Sequence, residues 1–289
     1  MSLAARVRVA TAYRWRHGRW PALNRPQLFT EWVQWRKLFD RDVGLARLTD
    51  KAHAKRVATS VLPEEFLIPT VWQGMLLPEH PPAPLPLIVK ANHGCNQFTV
   101  VRTADDWEKA RAISPHWLNH AYGRWLDEWH YELADRSLIV EPFISETDAL
   151  PTDYKFYVFG GRVVMVQVHQ GRGADHRWSQ LTTEWRPLSA NAFEQAPPPS
   201  LDAMIDAASR LAGGQDFLRV DFYDIGGQAK FGEFCLFPGS GLDPFRPLSL
   251  DRMLGDLWSA QHPQVSAAAA GPCAVDPVPE VAAALPTAR

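Results

Sequence analysis

The chain has 289 residues, which is enough for one large domain or two smaller ones with a substantial hydrophobic core. Apolar residues make up 46% of the sequence and charged residues 21%, a balance that excludes disorder of the whole chain. The 30 Lys and Arg residues nearly balance the 32 Asp and Glu residues, so the net charge gives no reason to expect a nucleic-acid partner.

The three cysteines, Cys95, Cys235 and Cys273, show neither a CxxC pair nor another metal-binding spacing. We expect reduced thiols, because their number is odd and the chain starts without the pattern of a secretory leader. No apolar run approaches the length that is needed to cross a bilayer. The composition therefore predicts a soluble protein of the cytoplasm.

Residues 1–49 are predicted to form a basic cap. The first 41 residues contain nine Lys or Arg but only two acidic residues, Glu31 and Asp40. Four tryptophans are interspersed among these charges: Trp15, Trp20, Trp32 and Trp35. Three environments suit these rings: packing against the protein body, stacking with arginines, and peripheral contact with a membrane or an assembly complex.

The part of the chain up to residue 133 is predicted to be mostly helical. Helices are predicted over 50–58, 105–112 and 114–133. A strand is predicted over 87–90, and it enters a loop at 91–97. The third helix would place most of its aromatic residues on one face, which predicts that this face is buried: Trp117, Leu118, Ala121, Tyr122, Trp125 and Trp129.

From residue 138 onward the pattern changes to that of strands. Strands are predicted over 138–143, 154–159, 162–169, 217–223 and 229–236, with a helix over 201–211. The pairs Gly160–Gly161 and Gly226–Gly227 are typical of two-residue turns, so they predict two hairpins and a partly antiparallel sheet. Residues 261–289 are rich in Ala and Pro and poor in large apolar side chains, which predicts a disordered tail.

The most informative stretch contains two acidic residues on adjacent strands. Arg219 and Asp221 alternate on one face of a strand, and Glu233 follows on its hairpin partner. Two neighbouring carboxylates repel each other unless a cation lies between them. Carboxylate oxygens favour Mg²⁺ that bridges phosphates, which makes Asp221 and Glu233 candidate metal ligands. The alternative is a surface pair bridged by Arg219.

Other charged residues stand at the ends of predicted strands. Lys90 leads into the loop with Asn92 and His93, where an ammonium group and backbone amides suit phosphate oxygens. Glu141 ends an apolar strand. Asp153 and Lys155 share one strand face and suit a ribose hydroxyl and a phosphate. Each has a simpler interpretation, a solvated strand end or a residue that only shapes the loop.

The order of these segments along the chain is more specific than any one of them. The segments are Asp50-Lys51 with Lys55, Ile-Val-Lys90-Ala-Asn, Val-Glu141-Pro-Phe-Ile, Asp153-Tyr-Lys155, Arg219-Val-Asp221 and Gly-Glu233-Phe-Cys235. Together they resemble the ATP-grasp superfamily. Lys-Ala-Asn-His-Gly, Asp-Tyr-Lys-Phe-Tyr-Val-Phe-Gly-Gly and Pro-Gly-Ser-Gly resemble more narrowly its TupA-like branch, which is associated with the biosynthesis of teichuronopeptide and other polysaccharides.

This resemblance implies an α+β ATP-grasp fold over residues 50–260. Two α+β subdomains with mixed or antiparallel sheets would grip ATP between them. The smaller one, about residues 85–140, would cap the nucleotide, and the larger one, about residues 141–260, would carry the catalytic groups. The segment before Asp50 is shorter than the N-terminal domain of D-alanine:D-alanine ligases, so the N-terminal region is expected to be reduced.

The resemblance also implies a role for each candidate residue. In cofactor binding, Lys55 and Lys90 would contact the ATP phosphates, and Asn92 and His93 would contribute from the loop. Glu141 would contact the adenine amino group, with Phe143 and Ile144 at the hinge. Asp153 would bind the ribose. Lys155 and Arg219 would be catalytic, and Asp221 and Glu233 would bind Mg²⁺. Cys235 departs from the family pattern, because many members have a metal-binding Asn there.

The function implied by the resemblance is that of a Mg²⁺- and ATP-dependent carboxylate–amine ligase. A carboxylate would take the γ-phosphoryl group, and an amine would capture the resulting acyl phosphate. The substrates would be small-molecule or glycan-linked carboxylates and amines, in polysaccharide or peptide-like metabolite biosynthesis. A small-molecule or sugar kinase on the same fold and a non-catalytic nucleotide-binding scaffold are the alternatives.

Overall fold

The computed structural model describes residues 2–172, 175–190 and 192–267, and these residues form an α+β fold with two antiparallel sheets. The helices of this part of the chain are α1 (Leu3–His17), α2 (Phe29–Phe39), α3 (Val43–Arg47), α4 (Lys51–Val61), α5 (Ala104–Asn119), α6 (Leu201–Ala212), α7 (Leu248–Gln261) and α8 (Pro263–Ala267). The strands are β1 (Trp72–Gly74), β2 (Leu87–Ala91), β3 (Phe98–Val101), β4 (Leu138–Pro142), β5 (Asp153–Phe159), β6 (Arg162–Gln170), β7 (Arg177–Leu181), β8 (Leu218–Ile225) and β9 (Gln228–Cys235).

The smaller sheet has the strand order β1-β4-β2-β3. Its central strand β2 buries Leu87, Val89 and Ala91 on one face, in the alternation expected of a half-buried strand. Helix α5 covers that face and contributes the buried side chains of Trp107 and Trp117. Lys90 lies on the other face of β2 and points away from this core.

The larger sheet has the strand order β7-β6-β5-β8-β9. Both predicted hairpins are present, since Gly160–Gly161 joins β5 to β6 and Gly226–Gly227 joins β8 to β9. All four glycines have positive φ angles, between 54° and 79°, which are favourable only without a Cβ atom. The turns therefore set the register that aligns the polar residues of neighbouring strands.

The two faces of the larger sheet differ in character because side chains alternate along each strand. Phe156 and Val220 lie on the apolar face, in a core that also contains residues of α4 and α6. Lys155 and Asp221 lie directly opposite each other on the other face. At the far end of that face α2 and α7 cover the sheet, through contacts such as those of Phe29 with Tyr157 and of Trp258 with Phe159.

The basic N-terminal segment contributes to this large core. Phe29 and Trp32 of α2 are fully buried, and the Trp32 ring stacks on Trp258 of α7. By contrast, Trp15 and Trp20 are mainly exposed. Packing against the body is thus the environment of α2, whereas the exposed rings lie at the surface around α1.

The predicted helix over 114–133 is wrong. Helix α5 runs through Pro115 and ends at Asn119, and two short 3₁₀ turns follow at Arg124–Leu126 and Trp129–Leu133. Gly123, with a φ of 74°, interrupts the helical path between them. As a result the expected apolar face does not form, and Trp125 is exposed.

Residues 268–289 of the predicted disordered tail, with Cys273, lie outside the described residues, whereas residues 263–267 form α8. Cys95 and Cys235 are both free thiols. Among the helices described, none is long and apolar enough to cross a membrane.

Candidate active site

A cavity of about 100 Å³ lies between the two sheets and is bordered also by α4 and the β2–β3 loop. Half of the twelve predicted site residues line it: Lys55, Lys90, Glu141, Phe143, Ile144 and Glu233. The other half do not line this cavity: Asn92, His93, Asp153, Lys155, Arg219 and Asp221. The predicted set is therefore divided among the cavity, a buried charged group next to it, and the start of the β2–β3 loop, which holds Asn92 and His93.

Glu141 lies between two lysines at the wall of the cavity. It is 2% exposed, and Lys90 Nζ donates a hydrogen bond to its Oε2 at 2.7 Å. Lys55 pairs with Oε1 and also donates to the backbone oxygen of Ile68 at 2.6 Å. Burial alone would raise the pKa of Glu141, but the two ammonium groups lower it below its ordinary value. The carboxylate is therefore ionised, and a ligand must compete with it for the lysines.

Asn92 and Asp50 hold the start of α4 against the β2–β3 loop. Asp50 caps the helix by accepting from the backbone N–H of His53 at 2.8 Å. Asn92 donates to the Asp50 carboxylate at 2.7 Å and accepts from the backbone N–H of Ala52 at 2.9 Å. His93 is buried with its Nε2 3.1 Å from the backbone oxygen of Trp117. These contacts position Lys55 and the loop, and they leave neither side chain facing the cavity.

Four buried charges form a row on the polar face of the larger sheet. Lys155 Nζ lies 2.5 Å from Asp153 and 2.7 Å from Asp221. Arg219 donates two hydrogen bonds to Asp221, at 2.7 and 2.6 Å. Burial would lower the pKa of Lys155, but the two carboxylates raise it above its ordinary value. The Lys155 ammonium therefore stays charged, and each member of the row lies beside a group of opposite charge.

Asp221 and Glu233 are cross-strand partners on β8 and β9, as the predicted magnesium site requires. Glu233 borders the cavity, and the nearest cation, Lys51 Nζ, is 4.0 Å from its carboxylate. Within the described ranges no set of three or more His, Cys, Asp or Glu residues is arranged to hold a metal ion. Two carboxylates fit Mg²⁺ only where phosphate oxygens and water complete its shell.

Cys235 does not add a metal ligand to this pair. It lies opposite Arg219 in the strand register, and burial raises the pKa of its thiol to about 12. The thiol is therefore neutral at physiological pH, and a neutral thiol is a poor partner for a hard cation. Its place beside Arg219 indicates a packing role.

Two further residues complete the site. Arg172 lies 3.2 Å from the Asp153 carboxylate and also lines the cavity. Its place in a glycine-containing loop after a strand is compatible with anion binding as well as with a solvated loop. Tyr223 lines the cavity as well. It stands two residues after Asp221 on the same strand, so the period-two pattern that identified Asp221 also points to it.

The charges around the cavity favour an anionic ligand. The basic residues of the cavity and the adjacent row are Lys51, Lys55, Lys90, Lys155, Arg172 and Arg219. The acidic residues are Glu141, Asp153, Asp221 and Glu233. Six positive charges against four negative charges leave an excess that suits phosphate groups.

Two antiparallel sheets with a lysine-lined cavity between them are the arrangement that the resemblance to the ATP-grasp superfamily implies. The model of the TupA-like ATPgrasp family matches residues 31–259, and this chain belongs to that family. The match begins within α2, in agreement with the burial of that helix. A comparison with curated proteins found no match.

Solved structures with a similar fold include several ligases. The D-alanine–D-alanine ligase from Bacillus anthracis complexed with ATP has a TM-score of 0.50 and 14% identity, with 78% of this chain and 68% of that chain covered. The L-amino acid ligase from Bacillus licheniformis has a TM-score of 0.44 and 15% identity, with 67% of this chain and 44% of that chain covered. At 14% identity the likeness to the D-alanine–D-alanine ligase shows the fold alone.

Proposed function

We propose that this protein is an ATP- and Mg²⁺-dependent ligase that joins a carboxylate to an amine through an acyl phosphate. One observation carries the proposal, the arrangement of charges around the cavity. Lys55 and Lys90 lie on one wall and Glu233 on another. The cross-strand partner of Glu233 is Asp221, which is paired with Lys155 and Arg219. The ligase names of the similar structures and the family membership support this choice. The resemblance further supports a product in polysaccharide or peptide-like metabolite biosynthesis.

Nucleotide binding requires the lysines to exchange partners. Small-molecule cavities usually measure about 300–1,000 Å³. The present cavity, about 100 Å³, is smaller, and the paired side chains of Lys55, Lys90 and Glu141 line it. Phosphate oxygens would take the two ammonium groups from Glu141. The freed carboxylate would then accept a hydrogen bond from the adenine amino group, beside Phe143 and Ile144.

Asp221 and Glu233 would hold the metal ion, which when bound neutralises charge on the phosphate oxygens. Lys155 and Arg219 supply the positive charge at the reacting end. A substrate carboxylate oxygen forms a bond to the γ-phosphorus, and the bond to ADP breaks. The amine then attacks the acyl carbon, phosphate leaves with the bonding electrons, and the amine loses its proton. The chain needs no nucleophile of its own for either step.

The substitution Glu233→Gln tests this proposal. It preserves the size of the side chain and removes the charge that would bind the metal. We expect kcat to fall by about 100-fold or more, with nucleotide affinity in the absence of metal unchanged. Turnover is measured as ADP and phosphate release over a matrix of carboxylates and amines, with product masses determined. Glu184→Gln, in an exposed turn, is the matched control.

Three outcomes contradict the proposal. Unchanged turnover in Glu233→Gln would contradict the assignment of Glu233 as a ligand of Mg²⁺. A phosphorylated product that forms without any amine identifies a kinase. ATP binding without turnover across the whole matrix identifies a binding protein.

A further inference from the structure

A second cavity, of about 1000 Å³, lies at the β7 edge of the larger sheet, and we call it the distal cleft. Its lining includes Arg16, Trp178, Gln180, Ser189, Pro244 and Arg246. None of these residues takes part in the nucleotide site. The distal cleft is therefore a separate feature, formed by α1, β7, the segment that follows β7 and the segment that precedes α7.

Two rows of side chains connect the distal cleft with the active site across the sheet. In one row Gln180 lies opposite Gln167, which lies opposite Lys155. In the other row Trp178 lies opposite His169, which lies opposite Asp153. Neighbouring strands are about 4.8 Å apart, so Gln180 is about 10 Å from Lys155. This separation is within the length of a small molecule that extends across the polar face of the sheet.

Two polar side chains of the distal cleft have no partner among the described residues, and a third is partly engaged. Arg246 is exposed and makes no ion pair with any residue that the structure describes. Ser189 is 6% exposed, and its buried hydroxyl has no hydrogen-bond partner in the described part of the chain. Arg16 is partly engaged, because its Nε donates to the backbone oxygen of Leu242 at 3.1 Å and a carboxylate oxygen of Asp243 lies 3.6 Å from its Nη2. One free guanidinium, one partly free guanidinium and an unpaired hydroxyl favour an anionic ligand group.

The rest of the lining is apolar and flat. Trp178 is 42% exposed and stacks on His169, with 6.2 Å between ring centroids. The other apolar residues of the lining are Pro187, Leu188, Ala190, Pro244 and Pro247. An indole face among prolines suits a ring rather than a flexible charged chain.

We propose that the distal cleft binds the far end of the substrate that reacts beside Lys155. This end carries an anionic group, a carboxylate or a phosphate, on a ring-sized apolar body. The ring lies on Trp178, the anion is held by Arg246 with Arg16, and Gln180 and Ser189 hydrogen-bond to it. The assignment of the reacting end rests on the proposed function, whereas binding in the distal cleft does not depend on it.

The test is a calorimetric titration of the full chain, without nucleotide, with phenylacetate, phenyl phosphate, phenylacetamide and acetate. We expect phenylacetate or phenyl phosphate to bind at least tenfold more tightly than the neutral amide, and the tighter of the two identifies the anion. Arg246→Gln should weaken that binding about tenfold, as expected for one charge-assisted hydrogen bond. Arg252→Gln, an exposed arginine of α7, is the matched control and should leave the affinity unchanged. Trp178→Ala should weaken the binding of phenylacetate but not the binding of acetate.

The site is overturned if the amide binds as tightly as both anions, or if Arg246→Gln and Arg252→Gln have the same effect. A separate titration with ATP keeps the two proposals distinguishable. Arg246→Gln should leave ATP affinity unchanged. If wild-type protein binds phenylacetate but not ATP, the proposed function fails while the distal cleft stands. If ATP binds and neither anion does, only the distal cleft fails.

Discussion

Glu141 is the residue whose free and nucleotide-bound environments would differ most. In the structure its carboxylate balances Lys55 and Lys90, and these side chains are only 17% and 20% exposed. Once phosphates bind the two lysines, the same carboxylate loses its ion pairs. The stability contribution of Glu141 should therefore depend on whether nucleotide is present.

We predict that Glu141→Gln lowers the free energy of unfolding of the nucleotide-free protein by about 1–3 kcal/mol, because two poorly solvated ammonium groups lose their counter-charge. In the presence of ATP the loss should be smaller, since phosphates supply that charge. The measurement is the rise in melting temperature on adding ATP, which should be larger for Glu141→Gln than for wild type. An equal or smaller rise would show that Lys55 and Lys90 do not change partners.

Six of the twelve predicted site residues line the cavity, but the contacts of the predicted residues could not be read from the sequence. Segments such as Ile-Val-Lys90 and Arg219-Val-Asp221 are local, and the alternation of apolar and polar residues in them predicts strands with a charged residue on one face. The pairing of Lys90 with Glu141 joins positions 51 residues apart, and that of Lys155 with Asp221 joins positions 66 residues apart. Such pairings depend on strand order, which a single sequence does not contain.

At the scale of elements, the strands of the larger sheet were predicted within one or two residues where alternation is flanked by a Gly-Gly turn. Three strands were not predicted: β1, β3 and β7. Strand β1 has only three residues and is ordered by pairing with β4, so its own residues carry little signal. The aromatic residues after Pro115 have a helical spacing, yet the chain turns at Gly123. In that stretch the helical spacing of the aromatic residues extends beyond α5, which ends at Asn119.

Asp216 joins three elements of the larger core. Its carboxylate pairs with Arg36 of α2 and accepts from Trp258 of α7 at 2.8 Å, and it lies just before β8. Arg36 also donates to the backbone oxygen of Phe217 at 2.9 Å. Burial alone would raise the pKa of Asp216, but the hydrogen bond from His262 and the charge of Arg36 lower it well below its ordinary value.

Because the pKa of Asp216 is lower in the folded than in the unfolded state, its ionised carboxylate stabilises the fold. This contribution is complete at pH values above the unfolded-state pKa of about 3.9, and it is lost as the pH falls toward the folded-state pKa. We predict that Asp216→Asn costs about 3 kcal/mol at neutral pH, and that the difference from wild type narrows between about pH 4 and pH 2. Urea unfolding at several pH values across this range measures the difference in the free energy of unfolding between Asp216→Asn and wild type. Asp256→Asn, at an exposed position of α7, should show neither effect. A constant difference at all pH values would contradict this origin.

At the scale of the whole molecule, the N-terminal segment has two parts that its composition does not separate. Helix α2 is part of the core, and its basic residues Arg36 and Lys37 are buried with partners, Lys37 Nζ donating to Ser240 Oγ at 2.5 Å. Helix α1 lies outside that core and is attached through contacts such as Arg8 with Asp127. A high density of arginine predicts a surface, and only the tertiary contacts show that part of this surface is covered.

Two tryptophans of this segment provide the last prediction. Trp32 is fully buried against Trp258, whereas Trp15 is 80% exposed. Trp32→Ala should lower the free energy of unfolding by about 3–5 kcal/mol, because it leaves a large cavity in the core. Trp15→Ala should change it by less than about 0.5 kcal/mol. If α2 folds as one unit with the larger sheet, Trp32→Ala will shift the whole transition in urea, followed by far-ultraviolet circular dichroism, and leave it single. A small early phase with an unchanged main transition would instead show that the N-terminal segment folds separately from the body of the protein.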